Sequence, residues 1–342
     1  TRVRSSAASD VYKRQLYAQG KISSDELMAS LAVDDEEPEQ IRSLSEILLL
    51  DLPEEMERRK NGRIIPFGIK NIDESPDFPK IVPGNLLVIA ARPGVGKTAF
   101  SFQMAENAAR NGFKVLYFPL EMTDVEMGRR TIRRRTNIDA QKINSGNLEK
   151  EDYKKISILA DAPGYSSNLY LLEGVRYLSK IRASIKKYKP DIVFLDQLSQ
   201  IEPEVRTNNI REKFVYITKN LKAMALKMNV PIVLIAQLNR DASNGSGEEA
   251  FKLPSLSNLK ESGSIEEDAD YVLLIQTAKD VETIRGSSPS VAEVFDKYKT
   301  PFGAIPAVLV FDKARDSRKR VFGAWFQGSK FAYRPLNIKD WD

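Results

Sequence analysis

The 342-residue chain contains no cysteine and no histidine. Those two absences remove disulfides, thiol nucleophiles, zinc sites of the Cys/His type and histidine general bases. Any general base must therefore be a carboxylate. The lack of cysteine fits a cytosolic protein. No apolar run approaches the ~18 residues of a membrane-crossing helix, and no secretory signal is visible. No internal repeat occurs either. What remains is an ordinary globular composition, 42% hydrophobic, enough for a substantial core in one large or two ordinary domains. The formal net charge of +5 permits a nucleic-acid partner without demanding one.

The pattern along the chain changes near residue 60. Residues 5–15, SSAASDVYKRQ, resemble a translated sequencing-adapter fragment, so residues 1–15 are read as non-native and left out of the fold. Residues 16–60 read as the remnant of an N-terminal region plus a lone amphipathic helix over about 39–50, with Ile41, Leu44, Ile47 and Leu48 on one face. A stretch with Pro66, Pro76, Pro79 and Pro83 leads into the main domain, 61–342. There, strands predicted at 86–90, 114–119, 191–196, 230–236, 270–275 and 306–312 alternate with helices. One helix carries Val175, Leu178, Ile181 and Ile185, another Phe214, Ile217, Leu221, Ala225 and Met228, and a third opens on a Thr123–Glu126 capping box. This alternation predicts an α/β fold, a mostly parallel twisted sheet with helices on both faces. Residues 277–304 read as a long loop with one short helix.

The first strand, Leu86 to Ile89, runs into AARPGVGKTAF at 90–100. Gly94 and Gly96 permit turn angles that a Cβ would block. Successive backbone N–H groups then converge on one concavity suited to an anion, and the helix beginning at about Thr98 adds its N-terminal positive end. Lys97 can reach the β- and γ-phosphates and the Thr98 hydroxyl can ligate Mg²⁺. The loop Arg92, Pro93, Gly94, Val95, Gly96, Lys97, Thr98 and Ala99 is thus a candidate ATP–Mg²⁺ site of the P-loop NTPase kind. Ala91 stands where the general P-loop pattern has its first glycine. The bland alternative is a plain glycine turn with a solvated lysine.

Phosphoryl-transfer chemistry at such a loop needs carboxylates at neighbouring strand ends. Asp196 closes DIVFLD and suits a Mg²⁺ ligand, while Glu121 follows VLYFP and suits a catalytic base. Gln237 follows the strand VLIA, where a neutral amide can sense a phosphate or touch nucleic acid. Each is also compatible with an ordinary polar strand end. The cluster Arg129, Arg130, Arg133, Arg134 and Arg135 places neighbours on one helix face. It reads either as a DNA or subunit contact or as a solvated face with a salt bridge or two.

In order along the chain, AARPGVGKTAF, PLEM, DIVFLDQLSQI, IAQLNR and LSNLKESGSIEEDADYVLLI resemble the DnaB family of replicative DNA helicases over about residues 60–335. The resemblance implies a RecA-like motor that hydrolyses ATP in a homo-hexameric ring, translocates 5′ to 3′ on single-stranded DNA and unwinds duplex, with primase and a helicase loader as partners. It implies Lys97, Glu121 and Asp196 as catalytic, Thr98 and Asp196 on the metal, and Gln237 as a switch between nucleotide and DNA. The loop Lys260, Glu261, Ser262 and Gly263 is implied to touch the DNA backbone. The family has arginine at Lys260, so a less directional contact is expected here. Lys313 and Arg315 match the family's Lys-x-Arg, a sensor and an arginine finger reaching a neighbour's γ-phosphate; Asp316 and Ser317 replace the family's Asn-Gly, and Arg318, Lys319 and Arg320 crowd the same turn. The helix at 39–50 is implied to tie neighbouring subunits. The competing readings are a recombinase- or clock-type ATPase of the same fold and a DNA-binding subunit without turnover.

Overall fold

The computed structural model describes residues 43–53, 56–57, 65–76, 80–165, 167–204, 209–238, 251, 253–256, 262–314 and 319–341. The chain divides into two compact units, Thr1–Arg63 and Ile64–Asp342. In the first, a short helix over Leu44–Glu46, capped by Ser43 with Glu46 in a capping box, continues as a π-helical turn over Ile47–Asp51. Its Leu44, Leu48, Leu49 and Leu50 are exposed. Ile41 of the expected helix lies outside the described residues.

The second unit is built on a nine-stranded sheet. Its strands are β1 (Leu86–Ala91), β2 (Val115–Pro119), β3 (Leu169–Leu171), β4 (Ile192–Asp196), β5 (Ile232–Gln237), β6 (Tyr271–Thr277), β7 (Ile305–Ala314), β8 (Arg320–Gln327) and β9 (Ala332–Arg334). Their spatial order is β3-β2-β4-β5-β1-β6-β7-β8-β9. The first six in that order run parallel, and the last three are antiparallel. Every residue of β1, β2 and β4 is buried, as continuous apolar runs in central parallel strands require.

Helices cover both faces. On one lies α1 (Lys97–Arg110), whose Phe100, Met104, Ala105 and Ala108 pack with Leu87 and Ile89. On the other, α5 (Leu178–Tyr188) and α6 (Ile210–Met228) supply Ile181, Ile185, Ile217 and Leu221 against Leu86 and Val88. Between these come α2 (Asp124–Arg135), opened by the Thr123–Glu126 capping box, α3 (Ala140–Ser145) and α4 (Lys150–Ala160).

The six predicted strands are all present, but three more were not foreseen. β3 and β9 have only three residues each, and β8, RVFGAWFQ, carries a glycine in mid-strand and follows a run of basic residues that reads as a turn. The helix expected to include Val175 begins at Leu178. Residues 277–304 hold two short helices rather than one, Val281–Ser287 and Pro289–Ala292. Asp280 caps the first through the Thr283 N–H, Pro289 opens the second, and Ile284, Val291 and Phe295 anchor both in the core. Sparse apolar positions on a polar background concealed them.

Candidate nucleotide site

All the parallel strands end on one edge of the sheet, and the candidate residues line up there. Register places Ala91 beside Gln237, Ile235 beside Asp196, and Asp196 beside Pro119, two residues before Glu121. Backbone bonds fix the turns that follow: Leu238 N–H donates to Ala91 O at 3.0 Å, and Leu120 N–H to Asp196 O at 2.7 Å.

The loop after β1 needs its glycines for different reasons. Gly96 caps α1 at φ +96°, and a Cβ there would lie 2.8 Å from Phe326 Cζ. Gly94 has φ +82° and open space around it. Tyr333 supports the loop from below, its hydroxyl donating to Val95 O at 2.6 Å, while Gln103 on α1 bonds both the N–H and the C=O of Tyr333.

Lys97 Nζ stands 3.7 Å from Glu121 Oε2, and the other Glu121 oxygen, Oε1, accepts from Gln197 Nε2. Asp196 is almost wholly buried. Burial pushes its carboxyl pKa up, against the opposing pull of the Tyr117 and Thr98 hydroxyls and the Lys97 charge. Its Oδ2 accepts from Tyr117 OH at 2.9 Å, and Tyr117 OH in turn meets Ser101 Oγ at 3.0 Å. Its Oδ1 has no hydrogen-bond partner among the described residues. A buried carboxylate oxygen left open beside a threonine hydroxyl fits a hard cation that takes most of its remaining ligands from phosphate and water. Among the described residues no group of three or more acidic, Cys or His side chains could hold a metal alone.

The glycine loop and Glu121 bound a cleft of about 550 Å³, whose lining does not include Asp196 or Gln237. Its wall includes Lys97, Thr98 and Glu121, and also Arg130, Arg176, Phe326 and Phe331, which sequence reasoning did not assign to it. Arg130 is half-buried; desolvation lowers its guanidinium pKa while Asp196 draws it back up. Four of the five arginines are tied down within the domain and two of them form ion pairs, while Arg129 is exposed. Arg134 is buried against the fully buried Glu106 at 3.0 Å and donates to Phe331 O, Arg135 shares Glu106, and Arg133 donates to Ser329 O. Arg130 and Arg133 stack on the Phe331 ring at 4.8 and 4.4 Å. Arg130, Arg133, Arg134 and Arg135 clamp α2 to α1 and to the turn between β8 and β9.

Two candidate groups, the Lys313–Arg315 pair and the loop 260–263, are described only in part. β7 runs against β6, so Lys313 pairs with Val272, which pairs with Val88. That register sets Lys313 about 10 Å back along the sheet from the end of β1, at ~3.3 Å per residue, where it donates to Glu266 O. Ser262 and Gly263 open the helix α7 (Ser262–Asp268). Arg315, Lys260 and Glu261 lie outside the described residues. No helix among the described residues is long and apolar enough to cross a membrane.

Over 87% of this chain the fold superposes on the whole of a solved ATPase domain, with 26% identity and a TM-score of 0.70. A solved DnaB-like replicative helicase, described with its interactions with primase, shares the fold at 24% identity and a TM-score of 0.67, over 98% of this chain and 77% of that one. The chain is 30% identical over 286 residues to the replicative DNA helicase DnaC of Bacillus subtilis strain 168, covering 80% of this chain and 61% of that protein. It is 33% identical over 234 residues to the replicative DNA helicase DnaB of Geobacillus stearothermophilus, covering 65% of this chain and 49% of that one. The chain therefore spans about half the length of the relatives it matches. Residues 65–317 match the model of the DnaB-like helicase C terminal domain, and the chain belongs to that family.

Proposed function

We propose that this protein is an ATP-driven DNA helicase of the replicative type, a ring motor that moves 5′ to 3′ on single-stranded DNA and hydrolyses ATP between subunits. Residues 61–342 form the motor, and the exposed leucine-rich helix before it ties neighbours together. The observation that carries the reading is the shared edge of Lys97, Glu121, Asp196 and Gln237 on four adjacent parallel strands, with Lys313 carried by an antiparallel strand away from its own loop.

Bound ATP with Mg²⁺ supplies the transferable phosphoryl group and a cation that neutralises its charge. Thr98 Oγ1 and the open Oδ1 of Asp196 would hold the cation, and the N–H groups of the loop with Lys97 Nζ would hold the phosphates. Lys97 then relinquishes Glu121, whose Oε2 is left to accept a proton from water. Gln237, at the end of β5, is placed to report the state of the phosphates to the residues after it. Lys313 and Arg315 serve the neighbouring subunit's site. Lys260, Glu261, Ser262 and Gly263 hold the DNA backbone, which carries no base information and suits a motor that steps on any sequence. Primase and a loader are the expected partners of the assembled ring.

The test is ATP-dependent displacement of a strand from a duplex bearing a 5′ single-stranded tail. Lys97→Ala should lose hydrolysis and displacement by at least about 10²-fold with unfolding unchanged. Near-normal turnover in that variant would misplace the phosphate site. Turnover on single strands without displacement would instead favour a recombinase- or clock-type ATPase.

A further inference from the structure

Glu121 is held from two sides, and the two restraints differ in kind. Lys97 Nζ, at 3.7 Å from Oε2, is a charge that bound phosphate claims for itself. Gln197 Nε2, on Oε1, is a neutral amide with no other assignment in the site. Gln197 is only 5% exposed and follows Asp196 directly, at the mouth of the short 3₁₀ turn Leu198–Gln200. The backbone bond from Leu120 N–H to Asp196 O ties the Glu121 turn to the same point. Gln197 Oε1 is buried without a partner among the described residues. A buried amide placed for packing alone ordinarily has its oxygen satisfied. This one is oriented by its donor end, toward a carboxylate.

We propose that Gln197 is the positioning residue for Glu121. Lys97 restrains Glu121 only while the loop is without nucleotide; Gln197 holds it when Lys97 has turned to the phosphates, keeping Oε1 occupied and Oε2 directed at water. Gln197 is not among the residues that line the cleft, so it acts on turnover and not on affinity. The proposal rests on the assignment of Glu121 as base.

The experiment is steady-state ATP turnover of the full chain on single-stranded DNA, with nucleotide affinity measured separately. Gln197→Met keeps volume and removes the donor. The lost bond is one to a charged group, so kcat should fall between about ten- and a hundredfold, with KM for ATP and nucleotide affinity unchanged. Gln197→Asn keeps the buried amide but is one methylene too short to reach Glu121; it should show the same split, and it serves if the methionine variant is unstable. In a Glu121→Ala background, followed by single-turnover measurement with enzyme in excess, neither substitution should lower the residual rate further. Unchanged kcat in both single variants, a loss in KM alone, or an equal loss in the Glu121→Ala background would overturn the proposal. If Glu121→Ala itself keeps near-normal turnover, the base is misassigned and the underlying reading fails instead.

Discussion

The two glycines of the nucleotide loop have positive φ for the same reason but face different surroundings, and replacing each with alanine separates folding from binding. At Gly96, φ +96° imposes backbone strain on any L-residue, worth about 1–2 kcal/mol. The added Cβ also meets Phe326 Cζ at 2.8 Å and Cε2 at 2.9 Å. That ring cannot retreat freely: it lies 4.8 Å from the Tyr333 ring, which stands edge-on to Phe100 at 5.1 Å. Overpacking of this kind costs about 1–3 kcal/mol, so Gly96→Ala should destabilise by about 2–5 kcal/mol, a large share of a typical domain's stability. Gly94→Ala at φ +82° meets nothing within 4 Å and should lose only the strain, about 1–2 kcal/mol. Its open space is the cleft itself, so its methyl should weaken nucleotide binding beyond what its effect on stability accounts for. Urea unfolding, followed by the fluorescence of the buried Trp325, reads the difference directly. Equal destabilisation by the two substitutions would refute the packing of β8 and β9 beneath the loop.

Other outcomes are open to measurement. Arg315→Ala and Lys97→Ala should each be nearly inactive, since a finger is worth about 10³-fold or more, yet co-assembled rings of the two should regain part of the hydrolysis; mixed rings, verified by native mass, that stay at the single-variant level would place the finger in its own subunit or on another basic residue of that turn. Lys260→Ala should weaken single-strand binding equally for all sequences and lower the salt slope by roughly one ion; a loss restricted to one base composition would argue for base readout. Asp196→Asn should abolish turnover while stabilising the nucleotide-free protein by about 1 kcal/mol at neutral pH. Because burial raises this carboxyl's native pKa, the wild type gains stability as pH falls through the window between the raised and ordinary values, so the variant's advantage should shrink there; an advantage independent of pH would show that the charge is not its cause.

What could be read from sequence was local. An apolar strand followed by Gly96, Lys97 and Thr98 specifies a turn and a helix start within a dozen residues, and the strand ends at Glu121, Asp196 and Gln237 follow from the same α/β alternation. What could not be read depends on contacts far apart in the chain. Arg134 looks like a surface charge until Glu106, 28 residues earlier, is found buried against it. Gln197 is one polar residue after a strand, and only the fold brings it to Glu121, 76 residues before it. The family pattern drew attention to Lys313, but its distance from its own loop is set by the reversal of chain direction at β7.

The support beneath the nucleotide loop has a consequence for synthesis. Val95 is braced by Tyr333, 238 residues further along, and the segment that provides the brace, 320–334, lies beyond the 65–317 span of the family match. At ~5–20 residues per second a ribosome needs on the order of 12–50 s to travel that distance. Through that interval the glycine loop is already made but has nothing to rest on. A nascent chain of this protein can complete the support of its nucleotide site only after residues 320–334 have been made.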